Sequence, residues 1–182
     1  MHKAVLLTAL LATACNPAEE RSEAPIVRES ARPDFAKIAK ANAIASIPEL
    51  APGEVFFQAS GCFGACPVFS FVIASDGSGV FNGRKHVESA GEHGFVVTPD
   101  HFTAFNSRIE RFRPDGLLDR SAQSCPQPVP TDGAAMRLAW PDGDILVLYD
   151  ACGTDEMPDA WIELSNAWQE LPAIVELVGE GG

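Results

Sequence analysis

The sequence predicts an α+β domain: a mostly antiparallel sheet of about six strands with two helices packed on one face, in the order ββββαββα. Three observations point there. Short runs such as Val68–Ala74 place apolar side chains at period two, the period of a strand. Two turn signals, Asp76-Gly77 and Pro141-Asp142-Gly143-Asp144, split such runs into hairpins. Two other stretches, around Phe102–Phe112 and Trp161–Leu171, repeat apolar residues at helical spacing instead.

Glu54–Gln58 is the first expected strand. In Val68–Ala74, Phe69, Phe71 and Ile73 share one face and Val68, Ser70 and Val72 the other. Both faces are largely apolar, which predicts a strand inside the sheet. The chain turns at Asp76-Gly77, returns as Gly79–Asn82, and adds a fourth short strand at Phe95–Thr98. Thr98-Pro99-Asp100 then opens a helix: threonine caps, proline is preorganised for the first helical position, and aspartate suits the positive end of the dipole. Phe102, Phe105, Ile109 and Phe112 form its core stripe, Arg108 and Arg111 sit in its last turns, and Pro114-Asp115-Gly116 ends it. Arg113–Thr131, with Pro126, Pro128 and Pro130 alternating, reads as a long loop. Loops of that length need a reason, and Cys125 supplies one. Ala134–Trp140 and Ile145–Tyr149 make a second hairpin; proline at the second turn position and glycine at the fourth fit a type I turn followed by a bulge. Asp159–Glu170 is the second helix, with Trp161, Leu164, Trp168 and Leu171 on one stripe. Pro172 kinks or restarts it, and Ile174, Val175 and Val178 continue the apolar face. The domain is expected over 54–179, with 180–182 a frayed tail.

Ahead of the domain, His2 and Lys3 precede an apolar run from Ala4 to Ala14. It is shorter than the roughly 20 residues needed to cross a bilayer and fits a signal peptide over 1–14. Leu11-Ala12-Thr13-Ala14-Cys15 resembles the lipobox of bacterial lipoproteins, although the usual Leu, Val or Ile three residues before the cysteine is here Ala12. That resemblance implies cleavage after Ala14 and a lipidated Cys15, whose several acyl chains would hold the protein to a membrane. Asn16 is not the acidic residue linked to inner-membrane retention, so the expected address is the outer membrane, facing the periplasm. Residues 15–53 are expected to be the lipidated N-terminus and a mostly disordered tether, since 16–33 are charged, proline-bearing and nearly free of large apolar residues. Asp34–Ile47 has the pattern of a short helix, with Asp34 as cap, Phe35, Ile38 and Ala45 roughly on one side, and Pro48 and Pro52-Gly53 ending it.

The 182 residues carry a formal net charge of −12. Such a charge argues against nucleic acid, whose phosphates require clustered Lys and Arg, and against direct binding to anionic lipid headgroups. A solvated acidic surface is the ordinary meaning of that balance.

Setting Cys15 aside leaves Cys62, Cys66, Cys125 and Cys152, an even number that in an exported chain reads as disulfides. Four cysteines permit three connectivities, and the sequence does not choose among them. The expected one is Cys62–Cys66 with Cys125–Cys152; on the chain-entropy model these closures are worth roughly 2 and roughly 3.5 kcal/mol. Gly61 and Gly64 suit so tight a covalent loop, which demands positive φ somewhere. The alternative is a periplasmic thiol-redox or copper-handling protein acting through Cys62 and Cys66. Against redox chemistry, the three intervening residues differ from the two of thioredoxin-like motifs, and a strand, not an activating helix N-terminus, follows Pro67. For copper, Cys-x-x-x-Cys-Pro resembles the site of Sco-type copper chaperones, where a distant histidine completes the set; His86, His93 and His101 are the candidates, each read more simply as a surface histidine. No nucleophile elbow, phosphate-cradling glycine loop or His-Glu-x-x-His is present, so no catalytic residue, cofactor or metal is expected. Asp142 and Asp144 read as turn chemistry. A binding region is expected where Asp150, Thr154 and Asp155, around Cys152, meet Phe63 and Gly64 of the Cys62–Cys66 loop.

The run Gly61-Cys62-Phe63-Gly64-Ala65-Cys66-Pro67, then Phe69–Ile73, then Asp76-Gly77, then Val80-Phe81-Asn82-Gly83 is similar to the bacterial family catalogued as domain of unknown function 6438, over about residues 54–178. The resemblance implies the domain and no activity. Members usually carry Tyr where this chain has Phe69 and Phe81, and Cys125 and Cys152 are additions to the family core, which favours their pairing with each other. The expected function is a lipid-anchored cell-envelope protein whose disulfide-stabilised domain binds an envelope protein partner or serves a structural role.

Overall fold

The computed structural model describes residues 46–152 and 159–179. The expected leader, Cys15, the expected tether up to residue 45, nearly all of the expected Asp34–Ile47 helix, Thr154 and Asp155 lie outside these. Seven strands form one sheet: β1 Glu54–Ala59, β2 Val68–Ala74, β3 Ser78–Lys85, β4 Gly91–Val96, β5 Leu117–Arg120, β6 Ala135–Ala139 and β7 Ile145–Tyr149. Helix α1 (Pro99–Glu110) follows β4; α2 (Ala160–Ser165), a 3₁₀ turn (Ala167–Glu170) and α3 (Pro172–Val178) close the chain. Across the sheet the order is β4-β3-β2-β1-β6-β7-β5. Every pairing is antiparallel except β5 with β7. This is the expected α+β architecture.

Three differences from expectation have local causes. The loop after α1 contains β5, which lies parallel to β7 with Leu117 opposite Ile145. Four residues are too few to show a period, and their partner lies more than twenty positions on, so no local signal marks the strand. The second helix is three short pieces, because Leu171 is extended (φ −107°, ψ 92°) before Pro172, whose ring disfavours helical geometry in the residue before it. The turn at Asp76-Gly77 is a three-residue loop: Gly77 N–H donates to Ala74 O at 2.9 Å and Gly77 takes φ +86°. A Cβ there would lie 2.2 Å from Val97 O, so only glycine fits.

Helix α1 starts as its sequence dictates, with Thr98 Oγ1 accepting from His101 N–H at 3.4 Å and Pro99 at the first position. Its Phe105 and Ile109 are fully buried against the sheet. Phe57, Phe69, Phe71, Phe81 and Phe95 project from β1–β4 to the same side and stack in a chain of rings, with Phe57 and Phe71 centroids 5.1 Å apart. Ring pairs at such spacing contribute about 0.5–1.5 kcal/mol each beyond area burial. Surface ion pairs Arg108–Glu170 (2.9 Å) and Arg111–Glu163 (3.1 Å) run from α1 to the C-terminal helices. The helices thus cover one face. The other carries a smaller apolar cluster of Phe56, Ala139, Ile145 and Val147, against which Ile47 and Leu50, upstream of β1, pack.

Candidate functional site

β1 and β6 leave the sheet at the same end. Ser60 N–H donates to Ala135 O at 2.8 Å, and Ala135 N–H donates to Ser60 Oγ at 2.9 Å, extending the ladder past both strands. The chain then closes a loop through the Cys62–Cys66 disulfide, whose Cα atoms are 5.6 Å apart. Gly64 takes φ +143°, which favours glycine. Gly61 is there for a different reason: a Cβ would come 3.2 Å from Val68 Cγ2, where the chain doubles back into β2. Phe63 N–H donates to Asp132 O at 2.7 Å, pinning the loop to the segment before β6, and leaves the Phe63 ring 89% exposed.

The proline-rich segment is held to the same end. Tyr149 accepts from Gly133 N–H and donates its hydroxyl proton to Pro130 O. Gly133 has no room for a side chain, since a Cβ would meet Asp150 Oδ1 at 2.0 Å and Tyr149 Oη at 2.7 Å. The Cys125–Cys152 disulfide (Cα atoms 5.7 Å apart) staples the segment to the end of β7, and Cys152 is buried.

Between these loops and the C-terminal helices lies a cavity of about 190 Å³. Phe57, Phe69 and Met136 form its floor on the sheet, Trp161 and Trp168 the helix side, and Cys66-Pro67 part of its edge. Ser60, Ser165, Asn166 and Gln169 supply hydroxyl and carboxamide groups. Cys66 is bridged, and no described residue lining the cavity carries an ionisable side chain. Phe69 is buried within the ring stack, so the floor there is apolar. The arrangement can enclose an uncharged, largely apolar group and hydrogen-bond its polar atoms; it offers no proton donor or acceptor with a shifted pKa.

Of the residues expected to bind, Phe63, Gly64 and Asp150 are exposed around this end and none lines the cavity. Asp150 is close by, its N–H donating to Ala134 O at 3.0 Å. Thr154 and Asp155 lie outside the described residues. Sequence reasoning missed Trp161, Trp168, Asn166 and Gln169 as a site. Helical spacing marked the two tryptophans as inward-facing but could not tell a filled core from a lined hollow. The histidines do not converge: His93 Nε2 bonds Ala90 O at 2.9 Å, His101 belongs to the α1 cap, and His86 occupies a positive-φ turn position. Among the described residues no three His, Cys, Asp or Glu side chains form a metal-binding group. No helix among them is long and apolar enough to cross a membrane.

The opposite end of the sheet is charged. Arg113, just after α1, bonds Asp144 Oδ2 at 2.7 Å, pairs with Asp142, lies 3.6 Å from Glu110 and stacks over Trp140 with 5.4 Å to the ring centroid. Glu110 Oε1 accepts from Trp140 Nε1 at 2.9 Å. The Gly116 N–H bond to Asp144, then the Arg113 bond, hold that carboxyl below its ordinary value of 3.8. The turn carboxylates of the 141–144 hairpin thus also anchor the helix end.

A family model described as "Domain of unknown function (DUF6438)" matches residues 54–172. No curated protein and no solved structure matches the chain.

Proposed function

The chain belongs to the DUF6438 family, and from that premise we propose that it is a lipid-anchored binding module of the cell envelope. Its cavity beside the Cys62–Cys66 loop takes an uncharged, largely apolar group of an envelope partner. The lipobox at Leu11–Cys15 and the charged, proline-bearing stretch after it support an acyl anchor at Cys15 and a tether; Asn16 supports the outer membrane, facing the periplasm, as the address. The observation that carries the binding reading is the cavity itself: rings and amides around about 190 Å³, bounded by a disulfide loop that leads into a strand. That same placement withholds from Cys62 the helix N-terminus that would make it a reactive thiolate. Phe63, exposed at the loop tip, is suited to contact the same partner.

The test uses a mature chain carrying Cys15→Ser. Indole and N-acetyl-leucinamide, added as probes, should shift the Trp161 and Trp168 indole N–H resonances, with acetate and methylammonium as charged controls leaving them in place. Ser165→Trp, which fills the cavity, should abolish the response. Probes that leave both indoles unmoved would sink the binding reading. Separately, Cys15→Ser should move the protein from the membrane pellet to the soluble fraction, and retention in the pellet would remove the anchor. Thiol titration of the native domain should find no reactive pair; a low-pKa pair at Cys62 and Cys66 would favour redox chemistry instead.

A further inference from the structure

The hydrogen bonds around the cavity leave its polar rim rich in acceptors and short of donors. Asn166 Nδ2 donates to Ile162 O at 3.1 Å, which fixes the orientation of that amide. Asn166 Oδ1 then accepts from Gln169 Nε2 at 3.3 Å. The Gln169 oxygen, Oε1, is left with no partner among the described residues. Ser165 donates its hydroxyl proton to Ile162 O at 3.3 Å. Ser60 donates its own to Gly61 O at 3.5 Å while accepting from Ala135 N–H. Both hydroxyl protons are therefore engaged. What remains is one N–H on each amide against a larger number of oxygen lone pairs.

Taking the cavity as the binding site proposed above, we infer that its ligand is an aromatic side chain with its own hydrogen-bond donor, a tyrosine or tryptophan of a protein partner, donating to Gln169 Oε1. The rings of Trp161 and Trp168 favour an aromatic occupant, because ring pairs attract in offset and edge-to-face arrangements. A charged group would enter without a counter-charge, since no described residue of the lining is ionisable. Phenylalanine or leucine would suit the apolar floor but would cover Gln169 Oε1 and the serine oxygens with nothing to donate to them. An acceptor that loses water without gaining a partner costs free energy, and a phenol O–H or indole N–H supplies the missing proton. The size agrees: about 190 Å³ lies below the roughly 300–1,000 Å³ of pockets for drug-sized ligands, which leaves room for one side chain. A second copy of this chain does not supply it. Its single tyrosine, Tyr149, is buried, as are Trp140 and Trp168, and Trp161 is part of the cavity wall. Tyrosine and tryptophan are also the residues that most often anchor protein interfaces.

Paired probes that differ only in the donor test this on the full mature chain with Cys15→Ser, read from the Trp161 and Trp168 indole N–H resonances. One pair is N-acetyl-tyrosinamide and N-acetyl-phenylalaninamide; the other is indole and 1-methylindole. In at least one pair the donor-bearing member should bind about fivefold more tightly, the worth of one hydrogen bond at a partly solvated rim. Gln169→Met changes an exposed side chain to one of similar length without the acceptor, and should bring that preference to within about twofold. Equal affinity within both pairs overturns the inference and leaves the cavity as a site for an apolar group. A preference that survives Gln169→Met overturns it too. No response to any of the probes removes the binding reading along with it. Tighter binding of methyl glucoside than of every aromatic probe would assign the cavity to a sugar, and would equally overturn the inference.

Discussion

The two ends of the sheet are held by different chemistry, and they are shaped differently as a result. At the end where β6 turns into β7, one arginine gathers Glu110, Asp142 and Asp144 and lies over Trp140. The loop there is short, residues 140–144. At the other end, covalent bridges and backbone bonds hold the loops, and a cavity lies beside them. A charged cluster packs tightly because its partners attract one another at contact. A disulfide fixes where two backbones meet and says nothing of the volume between them. The cavity lined by Trp161 and Trp168 lies at the bridged end.

Breaking the bridged end should cost most. Cys125→Ser with Cys152→Ser should lower stability by roughly 3.5 kcal/mol, read from the denaturant midpoint, because it frees the longer loop in the unfolded chain. Cys62→Ser with Cys66→Ser should cost roughly 2 kcal/mol and raise exchange at Phe63 without disturbing the 141–144 turn. A loss at the small loop exceeding that at the large one would contradict this ranking. At the charged end, Arg113→Ala should cost about 1–2 kcal/mol, since its partners remain partly solvated.

Acid should separate the two ends further. The Asp144 carboxyl is held below its ordinary value by Gly116 N–H and Arg113, and that of Asp76 by Ser78. Because the folded values are lowered, their contribution is present above 3.8 and is lost as pH falls through the lowered values. Below pH 3.8, exchange in the 141–144 turn should quicken while the disulfide loop stays unchanged; Asp144→Asn should remove that pH response. Equal loosening of both ends would break the contrast. The smallest stability effect belongs to Phe63→Ala, within about 0.5 kcal/mol because the ring is exposed, yet it should weaken capture of an envelope partner.

Much of this was legible beforehand where the signal is local. Thr98-Pro99 starts α1, Asp76-Gly77 and the 141–144 stretch turn the chain, and Val68–Ala74 alternates as an interior strand does. β5 was hidden because a four-residue strand has no readable period and its parallel partner β7 lies 28 positions on. The cavity was hidden because its walls come from separate segments, and no single stretch carries the shape of a gap.

What the chain determines by itself is what neighbouring residues settle between them: caps, turns, strand alternation and the family motif. The tertiary structure alone decides which sulfurs meet, that Arg113 collects carboxylates up to 31 positions away, and that Arg137 faces Ser46 across 91 positions. The physical reason is range. Local geometry follows from a few dihedral preferences, whereas these pairings exist only after packing of the phenylalanine layer has fixed how distant strands and loops lie against each other.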